Sequence, residues 1–326
     1  SGSIALDPEQ GKMYWTVGDY APGIMRANLD GSAAEMLVSD HAGPFGIALD
    51  LSAGKLYWAS WGLQQIWRAN LDGSETEAVV DTSPVNPRHL ALDAAAQKLY
   101  WTGDGGDAVW QADLDGGNVA PLVGGGPVST RGLALDQAAG KLYWANKGTE
   151  TVSRVNVDGT GIEVILFRRL EDPQGIAIDE GAGKMYFVDF EQDAILRANL
   201  DSSDLEVLLS SGLETPTWLA LDSLRGKMYW TDVERQEIGR ANLDGSKAEV
   251  LLSGEDGLIK PNLIALDVRA GQMIWTDYGS KTLNRANLDG SEVEEMLFGV
   301  FELPSGLALS YPPLEIDRSY VPVIQR

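Results

Sequence analysis

The sequence has no cysteine and only two histidines, His41 and His89, in 326 residues. A disulfide framework, a thiol nucleophile and a three-histidine metal centre are thereby excluded. The cellular compartment stays open, because a cysteine-free chain suits the cytosol and the exterior alike. No apolar stretch reaches the length of a membrane-spanning helix, so membrane insertion is not expected. Positive charge is scarce: 25 Lys plus Arg stand against 48 Asp plus Glu, a formal net charge of −23. Such a field disfavours nucleic acid and anionic lipid as partners. Sustained 3.6-residue apolar periodicity is also missing, which removes helix from the expected architecture.

What the chain has instead is repetition. Tyr14-Trp15 returns at Tyr57-Trp58, Tyr100-Trp101, Tyr143-Trp144, Tyr186-Phe187, Tyr229-Trp230 and, altered, at Ile274-Trp275, spaced by 43 residues five times and 45 once. Each unit holds a short apolar run ending in Asp (Ile47 to Asp50), a turn at Gly54-Lys55, and a second strand at Leu56-Tyr57-Trp58. After a variable polar loop come a third strand near Ile66 to Leu71, an Asp-Gly turn and a fourth strand near Val79-Val80. Four short strands per repeat predict an all-β, seven-bladed propeller of four-stranded antiparallel blades. Residues 1–310 form one such domain on this reading, and 311–326, broken by Pro312-Pro313, form an extended tail. The inner-strand motif occurs at both ends, Ser3 to Asp7 and Gly306 to Ser310, so two segments compete to close the ring.

The motif Tyr229-Trp230-Thr231-Asp232, with its variants Tyr186-Phe187-Val188-Asp189 and Ile274-Trp275-Thr276-Asp277, is followed by Arg-Ala-Asn-Leu-Asp-Gly. In this it resembles the YWTD propellers of the low-density lipoprotein receptor. Receptor members usually have six blades beside cysteine-rich modules, whereas this chain counts seven repeats and no cysteine. It also looks like stand-alone propellers among fungal natural-product enzymes, some of which catalyse hetero-Diels–Alder cycloaddition without metal or covalent intermediate. The resemblances imply either ligand or protein binding or an enzyme of that non-covalent kind.

Residues that recur in every blade are read as structural. Tyr and Trp pack between blades. The arginines 26, 68, 154, 197, 240 and 285, replaced once by Gln111, act as struts to neighbouring Asp side chains. The inner-strand aspartates accept local backbone N–H groups, and no Asp-x-Asp-x-Asp loop offers a calcium site, so neither metal nor other cofactor is expected.

Function is therefore sought where the repeats disagree. In a propeller the connections into the inner strand and the hairpins between second and third strands share one face. At the inner-strand start the blades carry Phe45, Arg88, Arg131, Gln174, Thr217, Asn262 and Ser305, and the next position, often glycine, becomes His89, Trp218 and Leu263. The hairpins add Tyr20, Trp61, Phe190 and Tyr278. Arg88, His89 and Arg131 are the candidate catalytic groups. Phe45, Trp61, Gln174, Phe190, Trp218, Asn262, Tyr278 and Tyr20 are the candidate ligand contacts. Together they suit a flat, partly aromatic ligand with oxygen acceptors, or a protein partner. The alternative is that the aromatics pack loops and the arginines answer an acidic surface.

Overall fold

In the computed structural model, residues 3–18, 22–104, 109–124, 130–166 and 170–298 are described, with Arg131 and Phe298 described in backbone only. They form seven sheets, each of four antiparallel strands taken in chain order. The inner strands run Ile4–Asp7, Pro44–Asp50, Asn86–Asp93, Thr130–Asp136, Pro173–Asp179, Pro216–Asp222 and Pro261–Asp267. The only helical turn among the described residues is a single 3₁₀ turn at Gly254–Asp256, capped by Ser253. The amino-terminal copy of the inner motif takes the innermost place in blade one, pairing Ile4 with Trp15 and Asp7 with Lys12. The second copy and the tail beyond it lie outside the described residues.

Alternation across each sheet sends the paired aromatics in opposite directions. Tyr143 of blade four packs with Met185, Phe187 and Ala198 of blade five. Its neighbour Trp144 instead packs back on Tyr100, Val109 and Leu122 of blade three. The same division gives seven apolar clusters, one at each junction. The last joins Ile274 and Leu283 of blade seven to Met13, Trp15 and Ala27 of blade one and closes the ring.

The arginine struts have a different partner from the expected one. Each guanidinium binds a glutamate on the outer strand of its own blade, as in Arg26 with Glu35, Arg154 with Glu163 and Arg285 with Glu294. The strand register explains this, since Arg26 lies directly opposite Glu35 and Arg154 opposite Glu163. The remaining amine, Nη1, donates to a main-chain carbonyl of the next blade: Arg26 to Leu71 at 2.7 Å, Arg68 to Leu114 at 3.0 Å, Arg197 to Leu243 at 2.7 Å. Replacing Arg154 by Ala breaks its bond to the Leu200 carbonyl and is expected to cost about 1–2 kcal/mol, because the Glu163 end is half exposed and contributes little. A lowered denaturation midpoint checks this, and an unchanged one would place the strut's stabilising role elsewhere.

The inner-strand aspartates cap the turns that follow them. Asp50 accepts from the Ala53 N–H at 3.0 Å, Asp136 from Ala139 at 2.8 Å and Asp179 from Ala182 at 3.1 Å. At the Asp-Gly turns glycine supplies the left-handed residue, φ +82° at Gly73 and +88° at Gly116. Blade five lacks that glycine, and Ser202 adopts φ 72° in its place.

Candidate binding face

In blades two to seven the start of the inner strand pairs with the end of the second strand, as in Pro44 with Ser60, Pro216 with Asp232 and Pro261 with Asp277. This puts the connections and the second hairpins on one face. Directly after these pairs the ladder slips, between Pro44 and Ile47, Pro173 and Ile176, and Pro216 and Trp218. Such bulges re-aim side chains, and the non-repeating residues Phe45, Gln174 and Trp218 stand in or beside them.

Buried carboxylates hold this rim. Asp277 is buried and accepts the N–H groups of Ile259 (2.8 Å), Lys260 (2.9 Å), Gly279 (2.8 Å) and Ser280 (3.1 Å). Asp232 and Asp189 bind their own connections in the same way. In blade two Ser60 replaces the aspartate and donates its hydroxyl to the Ala42 carbonyl at 2.7 Å.

Four of the singled-out side chains meet. The Phe45 and His89 rings lie 6.3 Å apart edge to face, and His89 lies 6.2 Å from the Trp218 ring at 23°. Blades two, three and six supply these rings, and three and six are not neighbours in the ring, so this aromatic file crosses the propeller axis. The Thr16 hydroxyl of blade one fixes the Phe45 carbonyl at 3.0 Å. Trp218 lies against blade five, where a Cβ on Gly175 would come within 3.3 Å of its indole. Arg88 holds its guanidinium carbon 5.0 Å from the Phe45 ring centroid and binds Asp104 at 2.5 Å. It is therefore an ion-paired cation, in keeping with the alternative that the arginines answer an acidic surface.

The other candidates are spread around the rim. Trp61 is 42% exposed on the blade-two hairpin, its N–H bonded to Gly43 at 2.8 Å. Phe190 and Tyr278 take the same position in blades five and seven, half-buried, their N–H groups bonded to Asp172 and Lys260 at 3.0 Å each. Gln174 and Asn262 are half-buried at the bulge position, and the Asn262 carbonyl accepts from the Thr231 hydroxyl. Tyr20 lies outside the described residues, as does the side chain of Arg131.

Two rim features were not foreseen. Asp104 neutralises Arg88, and Lys147, in the register of Trp61 and Phe190, pairs with the buried Asp172 of the next connection. Their signal was their place in the hairpin series, where Trp61, Asp104, Lys147, Phe190 and Tyr278 are equivalent. His41, by contrast, is structural: it is buried edge-on to Trp67 at 4.3 Å and Trp58 at 5.1 Å. Burial pushes its pKa below the ordinary imidazole range, against the opposing pull of Asp40.

Comparison with known proteins agrees with this architecture. The low-density lipoprotein receptor repeat class B model matches residues 140–180 and 226–268. The human low-density lipoprotein receptor-related protein 5-like protein is 39% identical over 79 residues, 24% of this chain and 31% of that protein. Among solved structures, a chain of a nidogen/laminin complex superposes with TM-score 0.60 at 22% identity, over 74% of this chain and 91% of its own length. A streptogramin B lyase superposes with TM-score 0.67 at 16% identity, over 81% and 84%. No described helix is long and apolar enough to cross a membrane. The chain is thus a seven-bladed propeller, two segments of which match the low-density lipoprotein receptor class B repeat.

Proposed function

We propose that this propeller is a binding module that receives a protein partner on the face carrying Phe45, Arg88, His89, Trp218 and Trp61. The aromatic file across the axis carries the reading. Three rings laid from blade two to blade six form a continuous aromatic file, and such a file suits a docked peptide segment better than two reactants held for cycloaddition. Exposed Trp61 at the rim and half-buried Trp218 at the centre are the residue types that anchor protein contacts. The similarity to a receptor-related protein and to a chain of a nidogen/laminin complex supports the same direction.

A second reading, a small oxygenated aromatic ligand, is favoured by one detail. Asp104 engages Nε and Nη2 of Arg88, which leaves Nη1 able to donate to a carbonyl or carboxylate beside the Phe45 ring.

The test pans a displayed random-peptide library on the intact chain and measures the selected peptides by calorimetry. Trp218→Ala and Trp61→Ala are each expected to weaken binding by about 2 kcal/mol, Trp61→Ala without lowering the denaturation midpoint much, while Val207→Ser on the outer rim changes nothing. Peptides that ignore both tryptophans and lose affinity with Val207→Ser would overturn the reading. If no peptide binds but small aromatic carboxylates quench tryptophan fluorescence in an Arg88-dependent way, the second reading replaces the first.

A further inference from the structure

A ring of near-identical interfaces opens at its weakest one, since parting a single junction costs far less than unfolding every blade. We propose that this propeller opens first between blades three and four and not at the junction of blades seven and one, where the ring closes.

The struts differ there on both sides. Six junctions carry an arginine that joins its own blade's glutamate to the next blade's carbonyl, including the closing one, where Arg285 reaches the Leu29 carbonyl at 2.9 Å. Blade three has Gln111 at that position, and the outer-strand residue paired with it is Ala120 in place of glutamate. Among the described residues no side-chain bond of Gln111 crosses to blade four. Tyr100 reports the same gap: burial and the nearby Asp93 push its pKa to about 12, with no arginine to hold it down. Tyr14, Tyr143, Tyr186 and Tyr229 each have one.

The inner end of the junction also leaves buried polar groups unpaired. The Thr16 and Thr231 hydroxyls donate to inner-strand carbonyls of the following blade, Phe45 and Asn262. Thr102, equivalent to them in blade three, is buried with its hydroxyl unpartnered, as is Thr130 at the start of blade four. Among the described residues the junction holds the apolar cluster of Tyr100, Val109, Leu122, Val123, Leu142, Trp144 and Val155, with a polar bridge from Gln137 to Asp93 at 3.2 Å. The chain still tethers these two blades, so opening is local and reversible.

The absence of cysteine makes a clean probe possible. Ala27, Ala69, Val155 and Ala198 occupy equivalent third-strand positions, are fully buried, and each faces the preceding blade at a different junction. Single substitutions Ala27→Cys, Ala69→Cys, Val155→Cys and Ala198→Cys, labelled with a thiol reagent under native conditions, report opening at each. Val155→Cys is expected to label on the order of ten times faster than the others, the scale of one missing charge-assisted bond. Because valine and alanine sites differ in packing, a second measurement uses one probe alone. Adding Gln111→Arg with Ala120→Glu to Val155→Cys installs the strut and is expected to slow labelling by about the same factor. Fastest labelling at Ala27→Cys, equal rates at all four sites, or a Val155→Cys rate indifferent to the installed strut would each overturn the proposal.

Discussion

Replacing Trp144 by alanine is expected to lower the free energy of unfolding by about 3–5 kcal/mol. The side chain is 2% exposed and fills the junction of blades three and four against Tyr100, Val109, Leu122 and Val155. Truncation loses the transfer free energy of the indole and leaves a cavity that rigid sheets on either side cannot close. At this junction no arginine strut shares the load, so the loss should exceed that of Trp230→Ala, whose own junction, between blades five and six, is braced by Arg197. Urea denaturation followed by near-ultraviolet circular dichroism measures both. Equal midpoints for Trp144→Ala and the unmodified chain would show that the packing argument is wrong.

Asp277→Ala is the second large effect, at about 3 kcal/mol or more. Its carboxylate gathers four main-chain N–H groups, two from the connection into blade seven and two from the hairpin that faces it. Alanine leaves those donors without an acceptor, and the ones shielded from water carry the full desolvation cost. Asp277→Asn keeps one carbonyl oxygen and should lose less than half as much. Hydrogen exchange at Ile259 and Lys260 localises the damage: protection lost there first supports the assignment, and a uniform loss across the ring refutes it. Blade one carries Val17 at this position, so the aspartate is a fastener that a blade can do without when other contacts serve.

The fold was legible because seven blades face one packing problem and answer it with the same residues. Tyr14-Trp15 and its copies mark the junctions before any coordinates are known. Glutamate as the strut partner was legible too, nine residues after each arginine at Glu35, Glu77, Glu163, Glu206, Glu249 and Glu294, but the expectation of aspartate missed it. Closure was not legible, since two copies of the inner motif were available and the choice of Ile4–Asp7 rests on geometry.

The candidate site divides in the same way. Phe45, Arg88, His89 and Trp218 stand out in the sequence because they break the repeat at one bulge. That His89 reaches Trp218 is set by the ring diameter and by the room left at Gly175, neither of which a local pattern contains. The ion pair of Arg88 with Asp104 was hidden for a different reason: both residues were seen as members of separate series, and only the strand register brings them together.

The opposite orientation of tyrosine and tryptophan in each blade has a consequence for association between chains. Every junction joins unlike surfaces, head to tail, so the assembly has a direction and ends only by returning to its start after seven steps. A copy that failed to return would present one surface of each kind, each complementary to the other on a second molecule, and would grow as an open filament. The bond from Arg285 to Leu29 and the Trp15 cluster are therefore what join these two complementary surfaces within one molecule.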